Sequence, residues 1–283
     1  MKKEQDFMPY IEIDGLKKYY EIYGEGETIV FLHHGFGCSK MWKEIYPSFL
    51  ELGYRVVIYD RRGYGLSDPG SDFFTFYVSP SFRAQSVQEL FRLREELGLD
   101  VFHLVGQCEG GVVAIDYATA CPTHVRSVTT SSTQCFSNVT MREFNAEKFQ
   151  KSFRELDPQL QKKLFDWHGD QRAERFFEQF RTEGGAYGSD IFDLRPVLPY
   201  VHCPALVLFP DRSFLFEVEQ GVNFYRHLKK GELAVLPRCG HNTYEQKPKE
   251  YVAIVSDFLR GTRGAANDQA QLMATCVAPG KSS

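Results

Sequence analysis

Apolar runs rich in β-branched and aromatic residues recur along the chain, each about the length of one buried strand. They fall at residues 28–32 (TIVFL), 54–59 (YRVVIY), 101–105 (VFHLV), 125–130 (VRSVTT), 205–209 (ALVLF) and 232–236 (ELAVL). Between them lie helix-like stretches at 39–52, 81–97, 110–120, 217–228 and 248–259. Strand and helix in alternation predict an α/β fold, a mostly parallel central sheet with helices on both faces. Residues 10–13 and 17–23, with Asp14-Gly15 between them, predict a hairpin at an antiparallel edge.

The alternation stops at residues 136–198. Phe144, Phe149, Phe153, Phe165, Trp167, Phe176, Phe177 and Phe180 lie here among many charges, with no clear strand pattern. Phe149 and Phe153, like Phe176 and Phe180, are four apart, a spacing that shares one helix face. The division expected is therefore a core of residues 1–135 and 199–260, a helical insertion at 136–198, and a Gly-, Ala- and Ser-rich tail at 261–283 expected to be flexible.

Composition narrows the function classes. Among 283 residues, Lys and Arg number 33 against 37 Asp and Glu, a net charge of -4 that offers no basic face for a nucleic-acid backbone. No apolar run approaches the length of a membrane span, and the two N-terminal lysines precede no apolar stretch of the secretory kind, so a cytoplasmic protein is expected. The seven cysteines are odd in number and lack metal-site or disulfide-scaffold spacing; most are expected to be reduced and buried as small apolar groups. The other histidines pair into no metal-ligand spacing, and no phosphate-binding loop occurs, so neither metal nor cofactor is implied.

The exception among the cysteines is Cys108. It stands in Val105-Gly106-Gln107-Cys108-Glu109-Gly110-Gly111, directly between a strand and a helix. Small residues two before and two after a nucleophile permit a tight turn that pushes its side chain into the open. The helix N-terminus would favour a thiolate and later an oxyanion. Three further segments follow strands at the carboxyl end of the sheet, where open α/β sheets bind ligands. His33-His34-Gly35-Phe36-Gly37 lets the amide of Phe36 join that of Glu109 as oxyanion donors, with His34, Gly35 and Phe36 lining a pocket. Arg238-Cys239-Gly240-His241 supplies an imidazole, and Pro210-Asp211-Arg212-Ser213 supplies a carboxylate, Asp211, to orient it.

The order nucleophile, acid, histidine, together with residues 59–68 (YDRRGYGLSD), resembles the α/β-hydrolase superfamily of the helical-cap type from about residue 9 to residue 260. The resemblance implies a lid at 136–198, and a structural role for 59–68 at the pocket entrance. Two departures stand out. Cys108 replaces the usual serine, as in dienelactone hydrolases and polyhydroxyalkanoate synthases. Ser213 stands where the family's G-x-x-D carries its carboxylate, two positions after Asp211. A thiol needs less help to ionise than a hydroxyl, so either a Cys108–His241–Asp211 set or a Cys108–His241 dyad remains open.

The reading is a hydrolase of a small-molecule ester, lactone or thioester with an apolar part, acting through an acyl group on Cys108, without cofactor, nucleic acid or membrane. An acyltransferase using a thioester donor and a non-catalytic binding protein remain alternatives, and self-association is left open.

Overall fold

The computed structural model describes residues 9–184 and 191–262. The first eight residues and the tail from 263 lie outside them, as do the expectations of a missing signal segment and a flexible tail. The strands are β1 (Tyr10–Ile13), β2 (Leu16–Tyr23), β3 (Glu27–Leu32), β4 (Tyr54–Tyr59), β5 (Phe102–Gln107), β6 (Val125–Ser131), β7 (Phe136–Thr140), β8 (Ile191–Asp193), β9 (Ala205–Pro210) and β10 (Gly231–Leu236). Eight of them form one sheet in the order β1-β2-β4-β3-β5-β6-β9-β10. β1 and β2 pair antiparallel, β2 lies antiparallel on β4, and the remaining pairs are parallel.

Side-chain alternation divides the strands between two cores. Val30, Leu32, Val57, Tyr59, Val207 and Phe209 point to one face, while Ile29, Phe31, Val56, Ile58, Leu206 and Leu208 point to the other. Both faces are covered, which is why the central strands read as continuous apolar runs. The first face packs on α3 (Phe82–Glu96), α4 (Glu109–Ala120) and α8 (Val218–His227), through residues such as Leu90, Val113 and Phe224. The second packs on α1 (Tyr46–Glu51) and α10 (Pro248–Gly261), where Tyr251, Val255, Phe258 and Leu259 follow helical spacing. The helix expected over 39–52 is instead a short 3-10 turn at Ser39–Trp42 and then α1, which begins at a proline-containing first turn. Two short helices escaped the pattern: α2 (Phe73–Tyr77) and α9 (Thr243–Gln246).

Among the described residues the insertion forms a cap of three α-helices, α5 (Met141–Lys148), α6 (Pro158–His168) and α7 (Ala173–Glu183). Its base is a two-stranded antiparallel pair, β7 with β8, which the sequence pattern did not indicate because β7 is largely polar and β8 is only three residues long. Thr140 and Glu143 close a reciprocal capping box at α5, and Asp157 caps α6 ahead of Pro158. Phe149 and Phe153 do not share a helix: α5 ends at Lys148, and Phe153 opens a separate 3-10 turn. Phe176 and Phe180 do share α7.

The junction of β5 and α4 is the tightest backbone approach in the core. A Cβ on Gly110 would stand 2.1 Å from the Leu32 carbonyl oxygen, and one on Gly106 would stand 2.4 Å from that of Gly110. Neither carbonyl can swing aside without breaking the strand-to-helix turn. Gly110→Ala is therefore expected to cost about 2 kcal/mol or more, read as a lower denaturant midpoint with an unchanged slope. An unchanged midpoint would contradict this packing.

Candidate active site

Cys108 is the single residue between β5 and α4, and it takes φ 52 and ψ -115. A non-glycine residue is costly in that region and persists only where its surroundings hold it. Here the Cys108 amide donates to the Ser131 carbonyl at 2.8 Å, while its own carbonyl accepts from the Gly111 amide at 2.9 Å and the Thr133 hydroxyl at 3.2 Å. Gly111 must lack a side chain because a Cβ would meet Thr133 Oγ1 at 2.0 Å. The turn points the thiol into a cavity of about 390 Å³ between sheet and cap, which His34, Gly35, Phe36, Glu109 and His241 also line. Cap residues Phe149, Trp167, Phe177 and Phe180 form the opposite wall.

His241 follows β10 and is held by its backbone. Its carbonyl accepts from Gln107 Nε2 at 2.8 Å and from Ser132 Oγ at 2.7 Å, so the residue before Cys108 also fixes the histidine loop. The imidazole lies against the edges of Phe214 and Phe216. Its Nδ1 is 3.2 Å from Ser213 Oγ. That oxygen already accepts from the amides of Leu215 and Phe216, each at 3.2 Å. A hydroxyl has two acceptor sites and one proton, so what remains for Nδ1 is the proton. Ser213 thus donates to Nδ1, and the neutral ring carries its own proton on Nε2, towards the cavity.

Asp211 does not orient His241. Its carboxylate turns back to accept from the Cys239 amide at 3.0 Å and from that of Arg238, and these bonds hold it below the usual carboxylate range. It ties the ends of β9 and β10 together, and no bulge in the loop moves it forward by two positions. The residue beside the imidazole is Ser213, in the place where the resemblance expects the acid.

The two amides expected as oxyanion donors, those of Glu109 and Phe36, differ in their engagement. The Glu109 amide hydrogen-bonds Cys108 Sγ. The Phe36 amide, in contrast, donates to His34 Nδ1 at 3.1 Å, so the ring beside it must turn before that amide can meet a ligand. His34 is neutral, drawn well below its ordinary value by burial, and its Nε2 pairs with Tyr244 Oη at 3.2 Å. Phe36 is tied to the cap as well. His168 at the end of α6 donates from Nε2 to the Phe36 carbonyl at 2.9 Å and accepts from the Gly65 amide at Nδ1 at 3.1 Å. Burial lowers its pKa to about 4, keeping it neutral and this tautomer fixed. His168, Gln107 and Ser132 were not singled out as site residues. Gln107 had a visible signal, its place beside Cys108, whereas His168 comes from another layer of the fold.

The electrostatics of the centre differ from the sequence expectation. Burial pushes the Cys108 thiol up to about 12, and the Glu109 carboxylate adds to the rise; the Glu109 amide and Arg61 oppose it without prevailing. Burial draws His241 down to about 4. Near neutral pH the pair is therefore a thiol facing an uncharged imidazole, with no hydrogen bond between them in the described residues. The helix N-terminus does not by itself yield a thiolate beneath an apolar cap.

An eight-stranded, mostly parallel sheet, a strained turn between strand and helix, and a helical cap over the carboxyl edge define an α/β-hydrolase fold. The family model described as alpha/beta hydrolase fold matches residues 27–161. The chain is 37% identical over 143 residues to proline iminopeptidase of Clostridium botulinum, a match covering 47% of this chain and 44% of that enzyme, less than half its length. It is 22% identical over 268 residues to 2-hydroxy-6-oxo-6-phenylhexa-2,4-dienoate hydrolase of Comamonas testosteroni, covering 86% and 91% of the two chains. A membrane phospholipase A, a bacterial virulence factor, superposes with a TM-score of 0.73 at 22% identity over 90% of this chain and 86% of its own. Among the described residues no helix is long and apolar enough to cross a membrane.

A thiol held near 12 gains anion slowly as pH rises, because the charged form is disfavoured until hydroxide is abundant. Alkylation of Cys108 by iodoacetamide should be slow at pH 7 and still climbing about tenfold per pH unit between pH 8.5 and 10.5, a range over which a free thiol gains only about twofold. A plateau at or below pH 7, followed by peptide mapping of Cys108, would show a resting thiolate and contradict these electrostatics.

Proposed function

We propose that the protein is an acyl hydrolase that works through a thioester on Cys108, taking esters, lactones or thioesters whose acyl part is apolar. The observation that carries the reading is the strained Cys108 turn opening on a cavity walled by cap aromatics, with His241 on the same wall. The hydrolase names of the relatives agree with it in kind. A carboxylate-bearing substrate such as the Comamonas enzyme's dienoate is disfavoured here. Lys163, the cation on the cavity wall, is paired with Glu245 at 2.8 and 3.0 Å.

In this reading Sγ attacks the acyl carbon as its proton passes to His241 Nε2. That step needs the other neutral tautomer, with Nδ1–H donating to Ser213 Oγ, which gives up one of its 3.2 Å backbone contacts to accept it. The tetrahedral oxygen is held by the Glu109 amide and, once His34 has turned, by that of Phe36. Collapse breaks the bond to the leaving alcohol or thiol, which takes the proton from His241. Water then attacks the thioester with His241 as base, the acid leaves, and the thiol re-forms. A hydroxyl stabilises the imidazolium far less than a carboxylate, so turnover should be slow and should favour good leaving groups such as thiols.

Intact-mass spectra after exposure to aryl esters and thioesters of 3-phenylpropanoic acid test the reading. One acyl adduct is expected on the wild type and none on Cys108→Ala; an adduct on Cys108→Ala would overturn the assignment. Ser213→Asp should raise kcat about tenfold or more, since loss of the corresponding carboxylate in a catalytic triad costs about ten-thousandfold. A fall in kcat would mean that Ser213 serves some end other than replacing an acid. The engaged Phe36 amide and the hydroxyl at Ser213 favour a second reading, a binding protein without turnover. That protein would bind the same compounds and return them unchanged.

A further inference from the structure

Several side-chain donors on the cavity wall are engaged: Asn145 Nδ2 with the Phe180 carbonyl, Gln134 Nε2 with the Phe136 carbonyl, Asn242 Nδ2 with Glu245, and Lys163 with Glu245, while His241 keeps its Nε2 proton towards the cavity. Among the acceptors, Glu109 stands apart. One of its oxygens, Oε1, takes the Arg61 guanidinium at 2.7 Å and the Tyr64 hydroxyl at 2.6 Å. The other, Oε2, has no partner among the described residues and lies against Gly35, 3.3 Å from where a Cβ of that residue would stand. The Glu109 side chain is 6% exposed, and the residue forms part of the cavity wall. A carboxylate oxygen that faces an apolar cavity without a protein donor offers an acceptor to a ligand's O–H or N–H.

We infer that Glu109 Oε2 is a substrate anchor, and that the acyl group this protein accepts carries a hydrogen-bond donor, a hydroxyl or an amine, on the first or second carbon beyond its carbonyl. The inference rests on the acyl-hydrolase reading for its substrate, and its position follows from the chain. Glu109 directly follows Cys108, its amide bonds Sγ, and its free oxygen sits beside the oxyanion loop at Gly35. A carbonyl attacked by Sγ lies between these groups, so a donor that reaches Oε2 is close to that carbonyl. Arg61 and Tyr64 hold the carboxylate's other oxygen, so the anchor is already oriented before a ligand arrives. Gly35 leaves the space that any larger residue would fill. The remainder of the acyl group meets the rings of Phe36, Phe177 and Phe180.

The test compares N-acetylcysteamine thioesters of 3-phenylpropanoic acid with those of its 2-hydroxy and 3-hydroxy derivatives. A hydrogen bond to a charged group predicts a kcat/KM about 10- to 100-fold higher for one hydroxylated member of the set. In Glu109→Gln that preference should shrink towards unity. Because this variant leaves Arg61 without its counter-ion and can fail to fold, calorimetry on the wild type gives an independent measurement. The amide of the favoured hydroxy acid should bind at least about tenfold more tightly than 3-phenylpropanamide. Equal binding of the two amides would overturn the anchor. If no thioester acylates Cys108 while the amides still differ, the hydrolase reading fails and the anchor stands.

Discussion

The close packing of backbone on backbone where β5 turns into α4 is the constraint on which the site depends. With Gly106, Gly110 and Gly111 bare, α4 can start immediately after the strand and press on the ends of β3 and β6. Only then does Cys108 occupy its positive-φ turn, with the thiol projecting from the carboxyl edge of the sheet and the Glu109 amide beside it. The same turn places Gln107 against the His241 carbonyl. One local geometry therefore sets the positions of both Cys108 and His241. Burial beneath the cap raises the thiol and lowers the imidazole.

Much of this arrangement was legible in the sequence. The strands buried on both faces announce themselves as apolar runs, and glycines around a cysteine after such a run mark a tight turn. The cysteine and histidine loops follow directly from strand ends. What could not be read depends on contacts between layers. His168, from the cap, fixes the Phe36 carbonyl across 132 positions of sequence. Glu109 reaches back to Arg61, so a residue chosen for its amide also brings a charged side chain to the wall.

The acid position shows a different limit. Asp211 is the carboxylate nearest in sequence to the expected place, but strand register decides the matter. β9 and β10 pair through Pro210 opposite Leu236, which brings Asp211 to the Cys239 amide and leaves Ser213 facing the imidazole. A residue type was weighed against a position, and the position prevailed. The thiolate expectation failed for a related reason. A helix N-terminus contributes at most about 2 kcal/mol, while burial in an apolar pocket can move a pKa by several units.

The central claim is that the resting site is an uncharged pair, Cys108 as thiol and His241 as the Nε2–H imidazole held by Ser213. Long-range proton–nitrogen NMR of the His241 ring, assigned by comparison with His241→Gln, measures charge and tautomer together. The account predicts a neutral ring with Nδ1 unprotonated throughout pH 5.5 to 8, titrating only near pH 4. An imidazolium present at pH 7, with both nitrogens protonated, would mean an ion pair with a Cys108 thiolate and would contradict it.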